Sequence, residues 1–174
     1  MLFRSVTPCT LDGSNHPFRF GFGMDLGLPS GVALGFVLNP KLDWLRLQAS
    51  LTYDYLSFGG RGSVQLDPLA LLPNLPIGLF ADIQGGFQPM ATIPGHSDLP
   101  GVGIDYLNSY LGLRLGKPNN FHWNIEGGYT RLHVSTSNFQ SVVNQAGSPS
   151  GLVIGNPTLD GWVPTAETGF TIVW

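Results

Sequence analysis

Apolar and polar residues alternate along most of the chain, which is typical of β-strands that have one apolar face. In the first run, Phe18, Phe20 and Phe22 alternate with Arg19 and Gly21. Seven similar runs follow. The pattern predicts eight strands, which lie within residues 18–26, 32–38, 45–55, 63–67, 77–87, 107–115, 121–130 and 162–174.

The charged residues in these runs fall on the polar face of each strand. By this alternation they are Arg19, Asp25, Arg46, Asp54, Asp67, Asp82, Arg114, Glu126 and Glu167. The same face carries many glycines, whereas the apolar face carries most of the large side chains. An eight-stranded barrel has little room inside, so we expect the charged, glycine-rich face to line the lumen and the apolar face to contact lipid. A Lys or Arg facing lipid near the bilayer midplane would cost roughly 2–4 kcal/mol, which explains why the apolar face has none there.

The connections between the predicted strands are unequal at the two ends. Those at 39–43, 72–76 and 116–120 are short and contain Pro and Asn, which favour tight turns. On the other side, 88–105 and 136–161 are long, 27–31 is short, and Gly59-Gly60-Arg61-Gly62 is predicted to form a tight hairpin. Short turns on the periplasmic side and long loops outside are typical of transmembrane barrels.

Aromatic residues cluster near the two ends of the predicted strands. We expect them to form membrane girdles, because rings with a polar edge favour the membrane interface. The inner girdle would contain Phe121, Trp123 and Trp174, and the outer one Tyr53, Tyr55, Tyr129 and Trp162.

The composition supports a membrane barrel. Only 11% of the residues are charged although 43% are hydrophobic, whereas a soluble domain has about 25% charged residues. No apolar run reaches the roughly 18 residues of a spanning helix. The sequence therefore predicts an all-β, eight-stranded antiparallel up-and-down transmembrane barrel at 18–174, preceded by a periplasmic tail at 1–17 from which a signal peptide has been removed.

The acidic balance, without a basic cluster, argues against a nucleic-acid partner. Cys9 is the one cysteine of the chain, so it cannot form an internal disulfide, and no other residue lies at a metal-ligand spacing from it. We expect no metal and no cofactor.

On these features the chain resembles the small bacterial outer-membrane β-barrels, the class of the OmpA transmembrane domain, OmpX and OmpW. The most specific match is Phe170-Thr171-Ile172-Val173-Trp174. It is similar to the terminal alternating signal, ending in an aromatic residue, that the barrel-assembly machinery recognises in this class. The resemblance implies that Phe170, Ile172 and Trp174 form this assembly signal, and that the protein resides in the outer membrane of a Gram-negative bacterium, in contact with lipids that include lipopolysaccharide.

The predicted lumen charges, three positive and six negative, allow two interpretations. One is a polar plug in which carboxylates engage the arginines and fix the strand register. The other is a narrow passive pore that prefers cations because of the surplus acids.

A third hypothesis is enzymatic. His133-Val134-Ser135 lies near the outer end of the seventh strand, with His133 and Ser135 on the lipid-facing side. This pair is similar to the lipid A deacylase arrangement, in which His activates a Ser nucleophile. That family has Asn after the Ser, where this chain has Thr136, and the pattern reveals no acidic partner on the neighbouring strand.

The long outer loops 88–105 and 136–161 are the remaining candidates for function, because long connections on rigid scaffolds commonly bind partners. We expect the barrel to act mainly as a structural anchor or interaction platform that presents these loops to an outer-membrane or surface protein complex.

Overall fold

The computed structural model describes residues 18–54, 57–72, 75–91, 101–137, 140 and 155–174. They form eight antiparallel strands in a closed barrel, in which consecutive strands pair and β1 pairs with β8. The strands are β1 (Arg19–Gly27), β2 (Gly31–Asn39), β3 (Leu45–Tyr53), β4 (Phe58–Leu66), β5 (Ile77–Ala91), β6 (Gly101–Gly116), β7 (His122–Ser137) and β8 (Thr158–Val173). The predicted all-β, up-and-down antiparallel barrel is confirmed, whereas the predicted tail at 1–17 lies outside the described residues.

The barrel has its polar side chains inside and its apolar side chains outside. Successive side chains of a strand point to opposite faces, so each strand contributes to both surfaces. Arg114 has no exposed surface, whereas Phe36 is 79% exposed and Leu111 is 75% exposed. This orientation is the one expected from the alternation of the sequence.

The two ends of the barrel differ in their connections. The turn end carries the connections 40–44, 67–76 and 117–121, and the loop end carries 28–30, 54–57, 92–100 and 138–157. The second turn is longer than predicted because it contains a 3₁₀ helix, Pro68–Leu71. Proline is tolerated in the first turn of a helix, where its missing N–H would lack a partner anyway.

Strands β5 to β8 extend farther than β1 to β4 at the loop end. Each of the first four strands has 9 residues, whereas β5 has 15 and β6, β7 and β8 have 16 each. Pairing between β8 and β1 stops at Glu167 and Gly27, and pairing between β5 and β4 stops at Phe87 and Gly60. The longer strands form a projecting wall, which comprises residues 88–91, 101–106, 132–137 and 158–161.

Most residues of the projecting wall belong to the stretches 88–105 and 136–161, which the sequence pattern predicts to be loops but which are partly strand in the structure. The prediction ended these strands too early because the face that points away from the barrel becomes polar there, at Asp105, Ser135 and Asp160. A pattern that requires an apolar outward face stops at this height, although the ladder of strand pairs continues to Gly101 and Ser137.

Candidate functional site

Buried side chains at the turn end surround Arg46 of β3. Its Nη1 donates to Gln65 Oε1 at 3.1 Å, and its Nη2 donates to the carbonyl oxygen of Pro118 at 3.1 Å. Nη1 also lies 2.7 Å from Nε2 of His122, which is on β7. Because a guanidinium only donates, His122 Nε2 is the acceptor, and the ring proton is on Nδ1, which lies 3.1 Å from the carbonyl oxygen of Asn120. The bond between Arg46 and His122 joins β3 to β7, which are not neighbours in the barrel.

Arg114 of β6 forms a second contact set at the turn end. Its Nε donates to Asp67 Oδ2 at 2.6 Å, and its Nη1 donates to the carbonyl oxygen of Gly116. Asp67 directly follows β4 and is buried, so this pair fastens the second turn to the sixth strand.

Arg61 of β4 is at the centre of a cluster of acidic side chains farther up the lumen. It donates to Asp25 of β1 and to Glu167 of β8, and it lies 3.2 Å from Gln84 Oε1 of β5. The side chains of Arg61 and Glu167 are 1% and 0% exposed. One guanidinium therefore connects four strands through the interior.

Two further carboxyl groups, those of Asp82 and Glu126, lie near this guanidinium. Gln84 Nε2 donates to Asp82 Oδ2 at 2.7 Å and lies 3.5 Å from Glu126 Oε1. Glu126 is also the register partner of Glu167, so two carboxyl groups face the lumen from directly opposite positions on β7 and β8. The geometry pairs Arg61 with Glu167 and leaves Glu126 without a described cationic partner.

Tyrosine and threonine side chains cross the lumen above the acidic cluster. The hydroxyl of Tyr110 donates to the carbonyl oxygen of Leu28 at 3.1 Å, which joins β6 to the short β1–β2 turn. The same hydroxyl accepts from Thr165 Oγ1 at 3.0 Å, and Thr165 lies 2.6 Å from Thr130 Oγ1. Polar side chains thus bridge the barrel at three heights, a filling that fixes the positions of strands on opposite sides.

The structure places most of the predicted lumen charges inside the barrel. Those that are buried are Asp25, Arg46, Asp67, Asp82, Arg114, Glu126 and Glu167. Arg19 is half-buried at the first residue of β1. Asp54 differs from the prediction: it follows β3, and its Oδ1 accepts from the backbone N–H of Ser57 at 2.7 Å in the β3–β4 turn.

Arg61 is the lumen residue that the sequence interpretation assigned elsewhere. It was predicted in a tight hairpin at 59–62, but the strand β4 begins at Phe58 and carries Arg61 into the lumen. The three glycines around Arg61 resemble a turn because glycine is common in turns. Alternation gives the usable signal, since Gln65, Ser63 and Arg61 are spaced by two residues and share one face.

Most of the predicted girdle residues have exposed side chains. Tyr53, Tyr129 and Trp162 are exposed toward the loop end, and Phe121, Trp123 and Trp174 are exposed at the turn end. Tyr55 lies outside the described residues. Of the predicted assembly signal, Ile172 and Trp174 are exposed and Phe170 is half-buried, with its ring packed near Trp123.

The outward face of β6, β7 and β8 carries a polar groove near the loop end. This loop-end groove has a volume of about 350 Å³ and is lined by Asp105, Tyr106, Leu107, Arg131, His133 and Asp160. Arg131 donates to both carboxylate oxygens of Asp160, from Nε at 3.2 Å and from Nη2 at 3.1 Å. The groove is therefore organised by an exposed bidentate ion pair.

The candidate enzymatic pair lies beside this groove. His133 Nδ1 is 3.8 Å from Asp160 Oδ2, and Asp160 is the register partner of His133 on the neighbouring strand. The sequence interpretation, which found no acidic partner there, is wrong on this point because it assigned Asp160 to a loop. Ser135 is two residues farther along β7, on the same face as His133.

Within the described residues, no group of three or more His, Cys, Asp or Glu side chains is arranged to hold a metal ion. The described part of the chain also contains no helix long and apolar enough to cross a membrane. No family model, curated protein or solved structure matches the chain.

Proposed function

We propose that the protein is an integral β-barrel of a bacterial outer membrane, with a filled lumen and a loop end that serves as a platform for other envelope or surface components. The observation that carries this proposal is the apolar outer belt, to which every strand contributes. Its exposed members include Phe20, Phe36, Leu51, Val64, Ile83, Leu111, Ile125 and Ile172. Apolar patches on soluble monomers rarely exceed a few hundred Å². Moving one such side chain out of water yields roughly 1.5–3 kcal/mol, so the belt as a whole favours lipid.

The height of the belt fits a bilayer. Trp162 and Trp174 are exposed near the two ends of β8, 12 residues apart. This spacing corresponds to about 40 Å of strand, and at a tilt of about 40° it covers roughly 30 Å along the barrel axis. The hydrocarbon core of a bilayer is about 30 Å thick.

A polar side chain within the belt is satisfied internally. Thr168 Oγ1 donates to the carbonyl oxygen of Asn124 at 3.0 Å and accepts from Trp123 Nε1 at 2.8 Å. Lipid offers no hydrogen-bond partners, and an unsatisfied polar group there is costly, so these two bonds suit Thr168 to a lipid-facing position.

The test is the location and accessibility of the protein in cells. We expect the chain, expressed in a Gram-negative host behind a cleavable secretion signal, to sediment with the outer membrane and to resist urea extraction. Protease added to intact cells should cut within 92–100 or 138–157. A soluble periplasmic product would contradict the proposal.

The proposed partners are membrane lipids including lipopolysaccharide, the barrel-assembly machinery and a surface or outer-membrane protein complex. Outward-facing Ile172 and Trp174 support the second of these. Trp174→Ala should slow membrane insertion in cells while leaving refolding of the purified chain in vesicles unchanged.

A filled lumen is favoured over a narrow pore because the side chains of Arg46, Arg61 and Tyr110 bridge opposite walls. Planar bilayers distinguish the two functions. We expect no resolved single-channel steps, whereas steady cation-selective steps would establish the pore and contradict the plug.

We propose a membrane hydrolase as the second candidate, favoured by the acidic side chain of Asp160 beside His133. In that mechanism Ser135 Oγ attacks an acyl ester, His133 takes its proton and returns it to the departing alcohol, and water then hydrolyses the acyl-enzyme. Asp160 would hold the imidazole. The test is the lipid A mass spectrum of cells that express the protein: loss of one acyl chain with the wild type and not with Ser135→Ala supports this function. Ser109→Ala, on the outward face of β6, is the control and should behave as the wild type does. A lipid A spectrum that expression of the wild type leaves unchanged contradicts the hydrolase function.

A further inference from the structure

The loop-end groove combines opposite charges at one height of the barrel wall. Asp105 and Asp160 are the register partners of His133 on its two sides, so the three side chains form a row across β6, β7 and β8. Arg131 is two residues before His133 on β7, nearer the turn end, and its side chain is on the same face. The side chains of Arg131, Asp160 and His133 are 56%, 47% and 46% exposed, which leaves them accessible from outside.

The ion pair orients Arg131 without using all of its donors. Nε and Nη2 bond Asp160, whereas Nη1 makes no hydrogen bond to any described residue. A guanidinium that is held in place with free N–H donors suits a phosphate oxygen. Hydrogen bonds from Arg131 also lower the pKa of Asp160, whose side chain lies in the projecting wall, beyond the stretch assigned to the bilayer.

Asp105 supplies the complementary charge. Both ion pairs of the loop-end groove go to Asp160, and within the described part of the chain none goes to Asp105. A carboxylate only accepts hydrogen bonds, so Asp105 calls for a ligand that carries N–H or O–H donors, above all a cationic one. The groove therefore offers donors for an anion beside an acceptor for a cation.

The position of the groove indicates a lipid as the source of these charges. Arg131 is the register partner of exposed Trp162 on one side and of exposed Leu107 on the other. The groove thus begins at the outer aromatic level, where lipid headgroups lie. Below it, the same face carries Leu111 and Ala166, which would contact acyl chains.

We propose that the loop-end groove binds a phosphoethanolamine group carried by a lipid of the outer leaflet, with Arg131 and His133 on the phosphate and Asp105 on the ammonium; phosphatidylethanolamine serves as the probe for this group in the test. This inference rests on the proposed membrane location. A phosphate without an amine would leave Asp105 unpaired beside an anion, which disfavours purely anionic headgroups. A quaternary ammonium, as in phosphatidylcholine, has no N–H group that could donate a hydrogen bond to Asp105.

The test is lipid retention by the folded, purified protein, measured by native mass spectrometry with phosphatidylethanolamine, phosphatidylcholine and phosphatidylglycerol in equal amounts. We expect phosphatidylethanolamine to be retained about fivefold more than either competitor, as one half-exposed charged contact implies. Free phosphoethanolamine should compete with it, because the groove recognises the headgroup.

The variants assign the two charges. Asp105→Asn should abolish the preference for phosphatidylethanolamine over phosphatidylcholine. Arg131→Gln should weaken retention of all three lipids, whereas Lys117→Gln, the same charge change at the turn end, should alter nothing. Equal retention of the three lipids by the wild type, or a preference that survives Asp105→Asn, overturns the inference.

Insertion into vesicles separates the two proposals. A wild-type chain whose strands become protease-protected in vesicles but which retains the three lipids equally contradicts only the headgroup site. A chain that does not insert contradicts the proposed function and the headgroup site with it.

Discussion

Arg61 of β4 donates to Glu167 of β8 across the interior of the barrel. Both side chains are almost completely buried, so removing one leaves an uncompensated charge in a region from which bulk water is excluded. We expect Arg61→Met to lower the free energy of unfolding by about 3–5 kcal/mol, the usual cost of breaking a buried pair. Urea unfolding of the protein folded into phospholipid vesicles measures this loss.

Arg131→Met is the matched control for this prediction, because it breaks an Arg–Asp pair with both side chains about half exposed. We expect a much smaller loss than for Arg61→Met, because exposed ion pairs contribute little to stability. Equal losses for the two variants would contradict the view that Arg61 organises the lumen.

Glu126 and Glu167 are opposite each other in register but have different partners. Glu167 accepts from Arg61, whereas among the described residues Glu126 has only the long 3.5 Å contact with Gln84. Glu167→Gln should therefore lower the free energy of unfolding by about 1.5–3 kcal/mol, the value of a hydrogen bond to a charged group. Glu126→Gln keeps the size of the side chain and removes a buried carboxyl group that has no described cationic partner, so it should be neutral or stabilising by about 0.2–1 kcal/mol. The same urea titration checks both variants, and a greater loss for Glu126→Gln would reverse the assignment.

Gly85 and Gly86 are adjacent in β5 and face opposite sides of the barrel wall. A Cβ on Gly86 would collide with the ring of Tyr106, whereas a Cβ on Gly85 would meet nothing within 4 Å. We expect Gly86→Ala to cost about 1–3 kcal/mol through overpacking of the lumen. Gly85→Ala should change stability by less than about 1 kcal/mol, because the new methyl group meets no neighbour and the gain in β-propensity from Gly to Ala is small. If Gly85→Ala were the more damaging variant, the assignment of the two faces would be wrong.

The alternation of polar and apolar residues was the main signal for the barrel, and the lengths of the connections and the composition supported it. The burial of Arg114 follows from this alternation, whereas the pairing of β1 with β8 follows from closing the eight strands into a barrel. Alternation says which face a charge occupies, but it does not say which charges meet. The contact between Arg61 and Asp25 depends on stagger around the barrel, which no local pattern encodes.

The projecting wall and the groove were missed for a different reason. The outward face changes from apolar to polar at the height of Arg131 and Trp162, which are register partners. A sequence pattern with a polar outward face resembles a loop. The pattern therefore places Asp160 in a loop, whereas the strand pairing makes it the register partner of His133. Exposed strands in water and exposed loops share the same polar composition, and only continuous pairing distinguishes them.

Leu111 and Leu159 offer the most direct test of the membrane assignment, because both are exposed leucines on long strands. Leu111 is 75% exposed in the middle of the apolar belt, and Leu159 is 66% exposed in the projecting wall. In vesicles, Leu111→Arg should cost about 2–4 kcal/mol, the penalty for a lipid-facing arginine near the midplane. Leu159→Arg should cost about 0–1 kcal/mol, because Leu159 lies in the projecting wall, beyond the bilayer, on the face of β8 opposite to Asp160 and Trp162. On a water-exposed surface the two substitutions would be nearly equivalent, since neither position packs against a core. Urea titrations of the two variants in vesicles measure the difference, and equal small losses would contradict the bilayer position of the belt.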